Sequence, residues 1–226
     1  MLKQAAKGMN LLLGKVLQNQ HIFLTSSLTY LKRQRKIDKN YFDYVRLATL
    51  ELISDEIRKK NLKGNVAELG VYKGKFARYI NFYFKERKLY LFDTFEGFDE
   101  KDIVTEKKKG FSSASQNFSD TSVESVLAQM PFANNCFPVK GFFPQSATDI
   151  KDEYVFVSLD ADLYEPVYEG LKFFYPSLVK GGYIFIHDFN NDNYPGTRKA
   201  VETFCAEKNI SFVPIPDLAG SAIISK

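Results

Sequence analysis

Acidic residues follow several predicted strands of this 226-residue chain, at the points where those strands end. The run YVFVSLDADLY places Asp160 and Asp162 after a buried-strand pattern, and the run GGYIFIHDF places His187 and Asp188 after another. Because isolated charges are costly to bury, such acids usually meet a metal, a proton, a cationic ligand or water. Carboxylates and an imidazole on one rim could ligate a metal or take a proton from a substrate.

A second group of residues is typical of a nucleoside site. The run ELGVYKG contains Gly70 and Gly74, which let the backbone approach a ligand closely, but it lacks the G-x-G-x-x-G of pyrophosphate binding. Glu68 precedes the first glycine and suits a positively charged ligand, and Asp93, 19 residues after Gly74, is placed to accept hydrogen bonds from ribose hydroxyls. A nucleoside with a cationic tail is S-adenosylmethionine, so we expect that cofactor here.

The elements that must position these residues alternate between strands and helices from residue 41 onward. This pattern predicts an α/β fold with a doubly wound, mostly parallel sheet, and the last two strands predict an antiparallel member at its edge. Ligands of such sheets bind outside the carboxyl ends of the strands, where the acids fall. We expect Asp162 to shape the turn into a helix that Pro166 opens, and residues 97–120 to form an irregular loop or lid.

The composition and the alternating pattern support one large domain over residues 41–226, preceded by a basic helical extension over residues 1–40. Hydrophobic residues make up 45% of the chain, enough for one large core, and two cysteines without a CxxC motif give neither a disulfide framework nor a zinc site. We therefore expect a reduced, cytoplasmic setting and, since no long apolar run occurs, no transmembrane segment.

The basic extension carries eight Lys and Arg residues against one acid. Two interpretations are open: a solvated face on an accessory helix, or contact with an acidic partner such as a phosphate-bearing substrate, a membrane surface or another subunit.

Several motifs together resemble those of a known family. The runs AELGVYKGKFA, LFDTFEGF, TSVESV, KGFFPQS, LDADLYEPVYEGLKFFYPSLVKGGY and IHDF are similar to the motif series of the macrocin-type sugar O-methyltransferases, the TylF/MycF family. The resemblance covers about residues 40–226, and its most specific parts are FDTFEGF and LDADLY.

The resemblance implies a class I S-adenosylmethionine-dependent methyltransferase fold with strand order 3-2-1-4-5-7-6, and methyl transfer to a hydroxyl of a sugar or glycoside. The acceptor would be nucleotide-linked, lipid-linked or part of a natural product, and we also expect a homo-oligomer and no nucleic-acid partner. The implied cofactor-binding residues are Glu68, Gly70, Tyr72, Gly74, Asp93, Thr94, Phe95, Ser122, Gly141, Phe142 and Asp160.

The resemblance also implies a divalent metal, magnesium in most members, at Asp160 and Asp188. Asp160, His187 and Asp188 are then the candidate catalytic residues. The chain departs from the family at His187, where two successive acids are common. Three roles are open for this histidine: a general base, a ligand for a softer metal such as manganese, iron or zinc, or a residue that orients Asp188.

Three other functions compete with this interpretation. An NAD(P)-dependent sugar-modifying enzyme would use a similar sheet, but the missing G-x-G-x-x-G argues against it. A nucleic-acid methyltransferase would suit the basic extension, but no N-P-P-aromatic motif occurs. A non-catalytic S-adenosylmethionine-binding protein would bind the cofactor and methylate no acceptor.

Overall fold

The computed structural model describes residues 43–226, and the predicted basic extension over residues 1–40 lies outside them. No helix among the described residues is long and apolar enough to cross a bilayer. The helices are α1 (Tyr44–Lys59), α2 (Ala77–Tyr83), α3 (Glu100–Lys109), α4 (Val123–Leu127), α5 (Tyr164–Ser177) and α6 (Pro195–Lys208). The strands are β1 (Asn65–Leu69), β2 (Leu89–Asp93), β3 (Cys136–Lys140), β4 (Tyr154–Leu159), β5 (Leu178–Ile186), β6 (Val213–Pro214) and β7 (Ala222–Ser225).

The seven strands form one sheet with the order β3-β2-β1-β4-β5-β7-β6. Strands β1 to β5 pair in parallel, whereas β7 pairs antiparallel with both β5 and β6. This confirms the predicted α/β class, the strand order and the pairing of the last two strands. The carboxyl ends of β1, β2, β4 and β5 meet at one rim of the sheet, so the residues that follow these strands are brought together.

The central strands are buried on both faces, which explains their nearly continuous apolar sequences. All six residues of β4 are buried. On one face, α5 packs so closely on the sheet that a Cβ at Gly170 would lie 2.9 Å from a methyl carbon of Leu69. On the other face, α1 contacts α2 and β5.

Helix α1 begins with a side-chain cap, since Asp43 accepts a hydrogen bond of 3.0 Å from the backbone N–H of Arg46. Leu50, Ile53 and Ile57 recur at helical spacing and are buried. Arg46 precedes Leu50 by four residues and is also buried, at 6% exposure. The apolar stripe of α1 therefore carries one cation toward the sheet.

The prediction of an irregular loop over residues 97–120 is wrong in part, because α3 lies within it. Asp99 caps the start of this helix, and Gly110 ends it in the left-handed conformation with φ of 72°. The two residues that α3 buries are Asp102 and Glu106, four positions apart, while Val104 is exposed. The inward face is marked by acids rather than by apolar residues, so the usual hydrophobic period is missing.

Glu106 explains how a carboxylate can be buried on α3. One of its oxygens accepts a hydrogen bond of 2.9 Å from the backbone N–H of Tyr164, the first residue of α5, and the other accepts one of 3.1 Å from the Ser112 hydroxyl. A Cβ at Gly196, near the start of α6, would lie 2.8 Å from the same carboxylate. Glu106 thus satisfies a free N–H group at a helix start, and it fixes α3 over α5 and α6.

Asp102 is expected to make the stability of the protein depend on pH. Its burial raises its pKa to about 7, with further contributions from Asp99, Glu165 and Glu106. An unfolded aspartate titrates near 3.9, so between about pH 4 and pH 7 the folded protein binds more protons, and stability falls as pH rises. The free energy of unfolding of Asp102→Asn, taken relative to that of wild type, should therefore rise by ~2–3 kcal/mol as the pH increases from about 5 to about 8, measured by urea unfolding.

The matched control is Glu100→Gln, which changes an exposed acid on the first turn of the same helix. The difference in free energy of unfolding between this variant and wild type should stay nearly constant over this pH range. A constant difference for Asp102→Asn as well would contradict the prediction.

Candidate active site

The turn after β1 is folded tightly against the end of β4. Gly70 has φ of 83°, and a Cβ there would lie 2.5 Å from the carbonyl carbon of Asp160 and closer still to its oxygen. The backbone N–H of Asp160 donates to the Leu69 carbonyl at 2.8 Å, which extends the strand pairing beyond β4. Only glycine fits at position 70, because the backbone of Asp160 occupies the place that a side chain would take.

The Asp93 carboxylate ties the first turn to the end of β2. It accepts hydrogen bonds from the backbone N–H groups of Val71 at 2.6 Å, Tyr72 at 2.9 Å and Phe95 at 2.6 Å. Oδ2 accepts the bonds from Val71 and Tyr72, whereas Oδ1 accepts the one from Phe95 and keeps a second acceptor position, so a ribose hydroxyl could be accepted only at Oδ1. The contact between Asp93 and ribose stays a prediction.

The other predicted cofactor residues lie around this turn. Gly141 donates its backbone N–H to the Asp93 carbonyl at 3.0 Å, which places Phe142 beyond the end of β3 on the same rim. The Tyr72 hydroxyl donates to Asp120 at 2.6 Å. Ser122, two residues further along, caps α4 through a reciprocal pair of bonds with Ser125. This hydroxyl therefore has a structural partner already.

Two more of these residues shape the loop that follows β2. The Thr94 hydroxyl donates to the Gly97 carbonyl, and Phe95 has φ of 54° and is buried. The sequence DTFEG is thus a closed turn that projects from the rim.

Glu68 is a buried acid with no hydrogen-bond partner among the described residues. It is 1% exposed and lies opposite Ser158 in the register of β1 and β4. Burial raises its pKa well above the ordinary value, and the Asp160 carboxylate adds to this while Arg46 opposes it. Ser158 is near enough to lower that pKa, yet neither side chain reaches hydrogen-bonding geometry. Such a group is costly unless it is neutral or meets a cationic ligand.

The acids after β4 and β5 do converge. His187 Nδ1 lies 2.9 Å from Asp160 Oδ1 and 2.6 Å from Asp188 Oδ2. The other oxygen of each acid is held from outside: Arg46 donates to Asp160 Oδ2 at 2.9 Å, and the Asn191 amide donates to Asp188 Oδ1 at 2.7 Å. The structure thus brings together the three predicted catalytic residues and adds two that hold them.

The charges of this cluster stabilise one another. Burial alone would lower the pKa of His187, but the Asp160 and Asp188 carboxylates outweigh it and raise that pKa to about 10. Burial would likewise raise the pKa of Asp160, but His187 and Arg46 hold it well below its usual range. At neutral pH the imidazole therefore carries a proton between two carboxylates. A general-base role for His187 requires that a ligand first displace this proton.

Asp162 lies in the predicted turn, and it also connects this turn to α6 and places its carboxyl beside the cluster. It has φ of 59°, and its carbonyl accepts a 2.6 Å hydrogen bond from the Thr197 hydroxyl, which links the turn to α6. Burial raises the pKa of its carboxyl well above the ordinary value, and the neighbouring Asp160 and Asp188 carboxylates raise it further. Asp162 is thus a further acid beside the cluster.

Arg46 is the residue that sequence reasoning missed. Its guanidinium carbon lies 3.8 Å from the ring centroid of Phe76, and its side chain is 7% exposed. A buried cation on a ring face is stabilised by the ring as well as by its carboxylate partner. The available signal was the position of an arginine in the apolar stripe of α1, one turn before Leu50.

Three donor atoms at this rim match the divalent metal that the family resemblance implies. One ligand atom each from Asp160, His187 and Asp188 lie within 4.8 Å of one another. Two carboxylate oxygens and one imidazole nitrogen on a common point fit a divalent ion, and both acids have outer hydrogen-bond partners, as ligating carboxylates usually do. The imidazole is a poor ligand for magnesium, so the identity expected for the ion does not follow from these donors.

Together, the strand order, the glycine turn and the acidic rim define the fold of class I S-adenosylmethionine-dependent methyltransferases. The family model of the macrocin O-methyltransferases (TylF) matches residues 17–223, and the chain belongs to this family of O-methyltransferases.

Solved structures agree with the fold. The O-methyltransferase NovP is 21% identical over 80% of this chain and 79% of its own, with a TM-score of 0.67. The calicheamicin methyltransferase CalS11 is 20% identical over 80% of this chain and 78% of its own, with a TM-score of 0.61. A putative caffeoyl-CoA O-methyltransferase from Staphylococcus aureus is 16% identical over 96% of this chain and 98% of its own, with a TM-score of 0.53. None of the curated proteins compared with the chain matches it in sequence.

The packing of the first turn can be tested with two glycine variants. Gly70→Ala and Gly110→Ala both force an alanine into the left-handed region, at a cost of ~1–2 kcal/mol each. A Cβ at Gly110 would meet nothing within 4 Å, whereas one at Gly70 would overlap the Asp160 backbone. We expect Gly70→Ala to lose about 1–3 kcal/mol more than Gly110→Ala in urea unfolding, because of overpacking. Equal losses would show that the turn has room to move.

Proposed function

We propose that the protein transfers the methyl group of S-adenosylmethionine to a hydroxyl of a sugar or glycoside. Membership of the O-methyltransferase family supports the reaction. One structural relative, CalS11, is described as a TDP-rhamnose 3'-O-methyltransferase, which favours a sugar as the acceptor. The observation on which the proposal rests most is the junction of a glycine turn and an acid cluster at Asp160.

The cofactor half of the site is assigned to the rim of β1 and β2. Bound S-adenosylmethionine supplies an electrophilic methyl group on a sulfonium. Glu68, buried without a hydrogen-bond partner among the described residues, would compensate the positive charge of the amino acid part, and Asp93 would accept a ribose hydroxyl at Oδ1. Gly70 and Gly74 both have positive φ, and a Cβ at either would collide with protein atoms, so these glycines let the turn that would carry the cofactor fold tightly.

The acceptor half is assigned to Asp160, His187 and Asp188. A sugar hydroxyl hardly ionises at neutral pH, so the site must favour its ionised form or remove its proton. A divalent ion at these donors would lower the pKa of a nearby hydroxyl. Asp160 adjoins the glycine turn, so this cluster lies beside the cofactor half, as an in-line displacement between two held reactants requires.

The other expectations stay predictions: a homo-oligomer, a cytoplasmic location, membrane contact through the basic residues 1–40, and a divalent ion. The magnesium expected from the resemblance is not favoured by a donor set that contains the His187 imidazole. The competing NAD(P) function has no support from this rim. A buried, unpartnered carboxylate at Glu68 suits a cationic ligand rather than a pyrophosphate.

The proposal is tested by binding and by transfer. Calorimetry should show that the wild type binds S-adenosylhomocysteine, and mass spectrometry should show one added methyl group on an acceptor from a panel of nucleotide sugars and glycosides. Asp160→Asn keeps the shape of the side chain but removes its charge. We expect it to lower turnover by about 10²–10⁴-fold while cofactor binding falls much less.

The control is Asp149→Asn, which changes an exposed acid on the segment leading into the amino end of β4, away from the rim. Absence of cofactor binding to the wild type would refute the central assignment, and a fluorescence titration with NADH would then test the competing one. Cofactor binding without methylation of any acceptor would favour a non-catalytic binding protein.

A further inference from the structure

The side chains of Asp160, His187 and Asp188 each place one donor atom within 4.8 Å of the other two, so a common point lies near all three. Nδ1 of the imidazole faces Asp160 Oδ1 at 2.9 Å and Asp188 Oδ2 at 2.6 Å at the same time. A single N–H can point well at only one of these oxygens. A cation that replaced this proton could contact all three atoms. The cluster is partly open, since the His187 and Asp160 side chains are 19% and 22% exposed.

The outer bonds of the two acids fix which oxygen faces inward. Arg46 holds Asp160 Oδ2, and the Asn191 amide holds Asp188 Oδ1. Each acid is thereby left with one oxygen for the common point. This division between an outer hydrogen bond and an inner donor atom is how proteins orient the carboxylates that ligate metals. The arrangement therefore has both the donors and their supports.

The kind of donor decides which ion suits the site. Magnesium takes oxygen ligands in nearly ideal octahedral geometry, whereas manganese, iron, cobalt and zinc accept an imidazole nitrogen readily. We propose that His187 is a metal ligand and makes this a site for a divalent transition ion such as Mn²⁺ in preference to Mg²⁺. The inference rests on the proposed function, since it assigns the ion that would serve the acceptor half.

A competing explanation uses no metal. The imidazolium of His187 and the guanidinium of Arg46 could themselves supply the positive charge beside the acceptor. This explanation predicts that no divalent ion binds at the cluster, whereas the proposal predicts tight, selective binding. The two are therefore separated by direct binding measurements.

Calorimetry on metal-free, full-length protein gives the first test. We expect Mn²⁺ to bind the wild type at least about tenfold more tightly than Mg²⁺ does. His187→Asp restores an all-oxygen donor set, so its affinity for Mg²⁺ should rise and its preference for Mn²⁺ should fall. Asn191→Ala is the matched control: it should weaken both ions by about 10–100-fold, without changing the preference, because it frees Asp188 without altering the donors.

A spectroscopic measurement on the wild type guards against a variant that fails to fold. Electron-spin-echo modulation of bound Mn²⁺ should contain the signal of a directly coordinated nitrogen, and His187→Asp should lack it. The proposal is overturned if Mg²⁺ binds the wild type as tightly as Mn²⁺, if neither ion binds, or if bound Mn²⁺ shows no nitrogen. Binding of S-adenosylhomocysteine should be measured on the same samples. If the cofactor product does not bind, the proposed function itself is refuted; if it binds, only the metal proposal has failed.

Discussion

Residue 160 couples the two halves of the candidate site, because its backbone and its side chain serve different neighbours. Its backbone packs against Gly70 and pairs with Leu69, whereas its carboxylate lies between Arg46 and His187. Parallel strands fix this junction through their register, since residues 66–69 of β1 pair without interruption with residues 156–159 of β4. The distance from the glycine turn to the acid cluster is therefore set by the sheet and cannot vary independently of it.

The buried charges beneath this junction depend on one another in the same way. Arg46 reaches the cluster from α1, more than a hundred residues away in sequence, and it also lowers the pKa of Glu68. A buried ion pair often adds little net stability, but the loss of one partner leaves a costly unpaired charge. Helix α1 is thus part of the site, although it is not one of the elements that alternate with the parallel strands. The same argument applies to Glu106, whose burial is tolerated because two donors meet it.

Much of this architecture could be predicted from the sequence, for physical reasons. Strands buried on both faces have continuous apolar sequences, and an acid that ends such a run is conspicuous, so the rim of Asp160, His187 and Asp188 was found. The strand order came from a family resemblance rather than from periodicity. Helix α3 was missed because its inward face carries acids whose partners are distant in sequence. The triple backbone contact of Asp93 could not be foreseen either, because it depends on the path of a neighbouring turn.

Position 187 carries a histidine where the resemblance leads one to expect an acid, and this difference changes the charge balance of the cluster. In this arrangement, two carboxylates face the cations Arg46 and His187, so the four charges cancel. A third carboxylate at position 187 would leave three negative charges against one positive charge, and such a site is costly to bury until a cation fills it. His187 allows the cluster to be charge-balanced by a proton alone. Replacing that single proton by a divalent ion would then leave one net positive charge, the sign that favours ionisation of a nearby hydroxyl.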